Sequence, residues 1–216
     1  MTVRVTDNVF DLALRERVIV ILRGVATAHV VKITDIMAAN DLHLLEITCN
    51  SLDVEESIRT LAQDHADQVL VGAGTAVSIP LARMAIDAGA KYVITPNLDE
   101  EVIQYCRERN IPIIPGVATP TEIMRAVKLG LKMIKLFPIS ALGGSAYIKL
   151  VRGPIEDVSI VATGGVSTDN AAEMLAAGAN VVAIGGGVIT SKLIEEGNWE
   201  EINQRLQTLA AIARKT

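Results

Sequence analysis

Short runs of apolar, largely β-branched residues recur along the chain, separated by glycine-rich or polar breaks. They cover Val18 to Arg23, Leu42 to Thr48, Val69 to Gly74, Lys91 to Thr95, Ile111 to Gly116, Lys132 to Phe137, Val158 to Thr163 and Asn180 to Gly185. Their starts lie 20 to 27 residues apart, the length of a strand, a loop, a helix and a second loop. The intervening stretches carry apolar residues at helical spacing: Val54, Ile58 and Leu61 share one face, as do Ile202, Leu206 and Leu209. Caps agree with these boundaries. Asp53 precedes Glu56 by three positions, and Thr119-Pro120-Thr121-Glu122 combines a capping box with proline at the first helical position.

Strict alternation of strand and helix implies parallel strands with right-handed crossovers, and eight such units predict a closed (β/α)8 TIM barrel. An open doubly wound sheet is the competing architecture. No linker or low-complexity segment divides residues 1–216, so a single domain is expected, with an N-terminal helix around Val9 to Arg15 over the bottom of the barrel. The most apolar window, Met174 to Ile189, is broken by glycine and Asn180; it reads as a helix end and a buried strand, too short for a bilayer span.

Composition sharpens this picture. Half of the residues are hydrophobic, but aromatics make up only 3%, with Phe 2, Tyr 3 and Trp 1. The core must be aliphatic, as barrel interiors filled by layers of branched side chains are. A net charge of -5 and few aromatics argue against nucleic acid as a partner, since phosphate backbones need massed cations and bases need stacking platforms. A few cations in one cleft still permit a small anionic substrate. Cys49 and Cys106 are too few for a disulfide framework and read as packing residues. His29, His43 and His65 form no ligand spacing, and no metal motif or cofactor site is expected. Met1 to Asn8 lacks the apolar core of a secretory signal, which points to a cytoplasmic protein.

Barrel active sites lie at the C-terminal ends of the strands. The polar residues there are Arg23, Glu46, Thr48, Asn50, Thr75, Thr95, Asn97, Lys135 and Thr163, with glycines at 164, 165 and 185 to 187. Lys135 stands out. Alternation puts Met133, Lys135 and Phe137 on one face of their strand and Ile134 and Leu136 on the other, and in a barrel both faces are buried. A desolvated lysine amine can attack a carbonyl to form a Schiff base. Glu46 likewise interrupts an apolar strand, and the second and sixth strands face each other across an eight-strand ring. Two readings share this geometry: a structural Glu46–Lys135 salt bridge, or a nucleophile paired with a general acid/base. Gly164-Gly165 and Gly185-Gly186-Gly187 precede helical segments after the last two strands, where many barrels bind phosphate.

Taken in order, Ile21-Leu22-Arg23-Gly24, Leu45-Glu46-Ile47-Thr48, Gly72-Ala73-Gly74-Thr75, Ile94-Thr95-Pro96-Asn97, Ile114-Pro115-Gly116, Lys135-Leu136-Phe137-Pro138 and Thr163-Gly164-Gly165 resemble the 2-keto-3-deoxy-6-phosphogluconate (KDPG) and 4-hydroxy-2-oxoglutarate (KHG) aldolase family. The resemblance runs from about Val18 to Gly187. It implies a metal-independent class I aldolase cleaving a phosphorylated keto acid to pyruvate and glyceraldehyde 3-phosphate, in a homotrimer. It also implies Lys135 as the Schiff-base lysine and Glu46 as the acid/base, with Thr75, Pro96 and Phe137 around the pyruvate. Thr163, Gly164, Gly165, Gly185 and Gly186 then form the phosphate end. Thr48-Cys49-Asn50-Ser51 departs from the Thr-Leu-Arg-Thr of many gluconate-type members, which makes Arg23 the substitute carboxylate ligand, with Asn50 a further residue of the pyruvate pocket. Asn50-Ser51 and Ser140-Ala141 resemble the phosphogalactonate (KDPGal) branch, and Gly187 stands where gluconate-type members often carry serine. Thr163 resembles the gluconate type. The alternatives are the galactonate epimer or 4-hydroxy-2-oxoglutarate as substrate, a phosphate-binding isomerase using Glu46 as base, and a non-catalytic barrel that senses a phosphorylated sugar acid.

Overall fold

A computed structural model describes residues 8–215. The segment read for a secretory leader, apart from Asn8, lies outside them. The strands are β1 (Val18–Leu22), β2 (Leu44–Thr48), β3 (Leu70–Gly74), β4 (Val93–Ile94), β5 (Ile113–Ile114), β6 (Gly116–Val117), β7 (Met133–Leu136), β8 (Ser159–Thr163) and β9 (Val181–Ile184). All pair in parallel, in the order β5-β4-β3-β2-β1-β9-β8-β7-β6.

The two ends of that order are halves of one strand. Pro115 has no amide hydrogen and separates β5, which pairs with β4, from β6, which pairs with β7. Its carbonyl accepts from Lys135 N at 2.8 Å, so the ring closes across it. The expected eight strands are therefore present, the fifth in two pieces, and the open doubly wound sheet is ruled out. Most strands are shorter than the apolar runs. Around β4, for example, Lys91, Ala73 and Thr95 amides carry the ladder beyond the regular residues.

Period-2 alternation sorts the side chains. Ile19, Leu44, Leu70, Tyr92, Ile94, Ile114, Met133, Val161 and Val181 fill the barrel interior, joined at one end by Val9, Leu12 and Ala13 of α1 (Val9–Glu16). The helix expected at the bottom is thus the plug of the interior. The opposite strand faces, including Leu45, Ile47, Ile134 and Leu136, pack against the surrounding helices. Cys49 and Cys106 are buried free thiols. Met174 to Ile189 is a helix end followed by β9, and no helix among the described residues is long and apolar enough to cross a membrane.

One cap is as expected and one is not. Thr119 Oγ1 accepts from Glu122 N while Glu122 Oε2 accepts from Thr119 N, a complete capping box. Asp53 precedes the helix Val54–Asp64 but sits in the left-handed region (φ 56°) and makes no side-chain cap. Glu55 and Glu56 in the first turn complement the helix dipole there instead.

Candidate active site

The C-terminal strand ends surround a cavity of about 810 Å³. At its floor Lys135 rises from β7, where it registers with Gly116 on one side and Val161 on the other. Glu46 rises from β2, diametrically across the ring. Lys135 Nζ lies 3.8 Å from Glu46 Oε1, with the two side chains only 6% and 0% exposed. At that length the contact is an ion pair rather than a hydrogen bond, and neither Glu46 oxygen has a hydrogen-bond partner among the described residues. Burial raises the Glu46 pKa above the ordinary carboxylate value; the charges of Lys135 and then Arg23 oppose it.

Glycines make the space for it. A Cβ on Gly74, at the end of β3, would lie 1.8 Å from Glu46 Oε1. Gly74→Ala should therefore push the carboxylate off its line to Lys135 and lower turnover about 100-fold, the usual cost of an ångström-scale misplacement. Steady-state kinetics alongside an unchanged circular dichroism spectrum would check this. Gly116 plays the same part beneath Pro96, whose backbone a Cβ would meet at 2.2 Å.

Phe137 sits beside the lysine, with Nζ 5.2 Å from the ring centroid. Thr75 follows β3 with φ 58°, an unusual conformation for a β-branched residue that marks a position under constraint. Its hydroxyl is 3.5 Å from Arg23 Nη2, while Arg23 Nη1 donates to Asn50 Oδ1 at 2.8 Å. Asn50 itself does not line the cavity. The short amide ends at the guanidinium and holds it. Ser51 reinforces this corner, accepting from Gly24 N at 2.8 Å.

At the other end of the cavity lie Thr163, Gly164, Gly165, Gly185 and Gly186. Gly164 and Gly165 adopt positive φ, and a Cβ on either would press on Phe137 or Ser140. The Gly165 carbonyl is held by Ser140 Oγ and Asn170 Nδ2, both at 3.0 Å. Neither glycine pair opens its helix directly; the helices begin later, at Ala171 and Ser191. Ser167, Thr190 and Ser191 also line this end. The hydroxyl-bearing residues just downstream of each glycine cluster were the available signal for them. A serine at 187 would not fit, since its Cβ would lie 2.3 Å from Val166 O. Among the described residues no three His, Cys, Asp or Glu side chains are grouped as metal ligands.

A closed parallel barrel that gathers a buried lysine and carboxylate at its C-terminal strand ends has the architecture of a barrel enzyme. The family model for KDPG and KHG aldolase matches residues 10–205. The chain is 34% identical to 2-dehydro-3-deoxy-phosphogluconate aldolase of Haemophilus influenzae over 86% of its own length and 87% of the relative's. Among solved structures, a native KDPGal structure superposes with a TM-score of 0.84 at 28% identity, covering 92% of this chain and 94% of that one. KDPG aldolase of Legionella pneumophila, with pyruvate captured as a covalent carbinolamine, superposes with a TM-score of 0.83 at 25% identity, covering 92% and 96%. The chain belongs to the KDPG and KHG aldolase family and is a lyase of the aldolase type.

Proposed function

We propose that this protein is a class I aldolase that cleaves 2-keto-3-deoxy-6-phosphogluconate to pyruvate and glyceraldehyde 3-phosphate. The observation that carries the reading is the buried Lys135–Glu46 pair, 3.8 Å apart at the floor of the cavity. The Lys135 amine adds to the C2 carbonyl, and Glu46 delivers the proton that lets the carbinolamine lose water. The Glu46 carboxylate, having given up that proton, takes the proton of the C4 hydroxyl as the C3–C4 bond breaks, and the bond's electron pair flows into the iminium to leave an enamine and the free aldehyde. Protonation at C3 and addition of water then release pyruvate and the amine.

Arg23, held by Asn50 and beside Thr75, takes the substrate carboxylate; Pro96 and Phe137 enclose the three-carbon unit. Thr163 and the glycines at 164, 165, 185 and 186 take the phosphorylated end through backbone amides. Arg23→Met should raise KM for pyruvate or keto acid by about 10- to 100-fold, the worth of a charge-assisted hydrogen bond, and leave kcat much less affected. The protein is further proposed to work as a single-domain cytoplasmic homotrimer.

The Asn50-Ser51 pair, which resembles the galactonate branch, makes the galactonate epimer the second candidate substrate, and 4-hydroxy-2-oxoglutarate is a third. A coupled pyruvate-release assay on all three tests the choice. The highest kcat/KM is expected with the gluconate epimer; a clear preference for either of the others would reassign the substrate while leaving the chemistry intact.

A further inference from the structure

The barrel interior holds a polar group that the chemistry above does not use. Tyr92 enters β4 from below, fully buried among aliphatic side chains. Its hydroxyl and the two Glu46 oxygens are the buried side-chain atoms that find no hydrogen-bond partner among the described residues. The register brings these two residues into one row. Glu46 on β2 is opposite Gly72 on β3, and Ala73 is opposite Val93, with its amide donating to Tyr92 O at 2.9 Å. Tyr92 thus faces Gly72 from the other side. A Cβ on Gly72 would lie 2.4 Å from Tyr92 Cζ. The ring therefore lies across the bare glycine, and its hydroxyl reaches past β3 toward the row of Glu46. A phenylalanine would fill the same space without bringing a hydroxyl that must be satisfied.

We propose that Tyr92 is a positioning residue for Glu46, its hydroxyl holding the carboxylate through one buried water. Such a water would have the two or more polar partners that a buried site requires. This inference rests on the aldolase reading above. The titratable and charged groups near enough to act on Glu46 are Lys135 of β7, Arg23 at the end of β1, Cys49 after β2 on the outer face and Tyr92; β3 contributes glycines. Those that face Tyr92 are Glu46 and, more weakly, Glu16. A hydrogen bond donated toward the carboxylate favours its charged form, so losing that bond raises the Glu46 pKa further.

The test is the exchange of pyruvate C3 protons for deuterium, followed by nuclear magnetic resonance across pH in the wild type and in Tyr92→Phe. Removing a C3 proton from the pyruvate imine needs Glu46 as carboxylate, so the rate falls on the acid side. In Tyr92→Phe that limb is expected to move up by about one pH unit, an about tenfold lower rate along it, with the plateau and the thermal stability retained. A limb that stays in place overturns the inference, because a merely structural tyrosine leaves the profile unmoved. Absence of any exchange in the wild type would instead overturn the aldolase reading, and this inference with it.

Discussion

Lys135→Ala is expected to abolish cleavage, lowering kcat/KM by on the order of 10^5 or more, as removal of a covalent nucleophile does. Glu46 alone cannot replace it, since without the iminium there is no sink for the electrons of the C3–C4 bond. The barrel should survive. Breaking a buried ion pair is costly when a charge is left stranded, but the Glu46 pKa is already raised by burial, and without Lys135 it rises further. The carboxyl then takes up a proton instead of remaining charged. A carboxyl whose folded pKa exceeds its unfolded value, about 4, contributes its full share of stability below that value. The contribution is lost as pH rises toward the folded pKa. Thermal unfolding of Lys135→Ala should therefore match the wild type most closely near pH 4 and fall behind it as pH rises. A variant that retains near-wild-type turnover would remove Lys135 from the chemistry.

Glu46→Gln has the second largest expected effect. Glutamine keeps the shape but not the charge, so the fold should persist with a modest loss of stability from the unpaired Lys135; what is lost to the chemistry is the proton. Turnover should fall by about 10²- to 10⁴-fold, the usual contribution of a positioned acid/base. Pyruvate C3 exchange should fall in parallel, because both pass through the same carboxylate. The Lys135 adduct should still form, more slowly. A structural salt bridge predicts a stability loss with exchange and turnover close to normal, so the two readings of the pair separate in one variant.

How much of this was legible in the sequence depends on whether the information is local. Lys135 and Glu46 were readable because period-2 alternation in a barrel buries both faces of a strand, so a charge in an apolar run has nowhere else to go. Their mutual approach followed from counting strands around a ring. The Thr119 capping box was equally local. Asp53 was misread because its side chain offers a cap only if its backbone is extended, and it is left-handed. That Asn50 ends at Arg23 was not legible, because it depends on two loops meeting in space. Tyr92 was invisible as a partner of Glu46 for a similar reason, since the path between them crosses Gly72 on a third strand. The split at Pro115 was written in one residue, yet its consequence, a ring closed by two half-strands, appears only once the neighbours on either side are known.

The central claim is that Lys135 forms an imine with the keto acid, and reductive trapping tests it most directly. The intact protein, incubated with pyruvate and borohydride and then digested, should carry a single carboxyethyl group on the peptide containing Lys135, with activity lost in proportion. An adduct on a different lysine, or full turnover from protein that borohydride leaves unmodified, would contradict it.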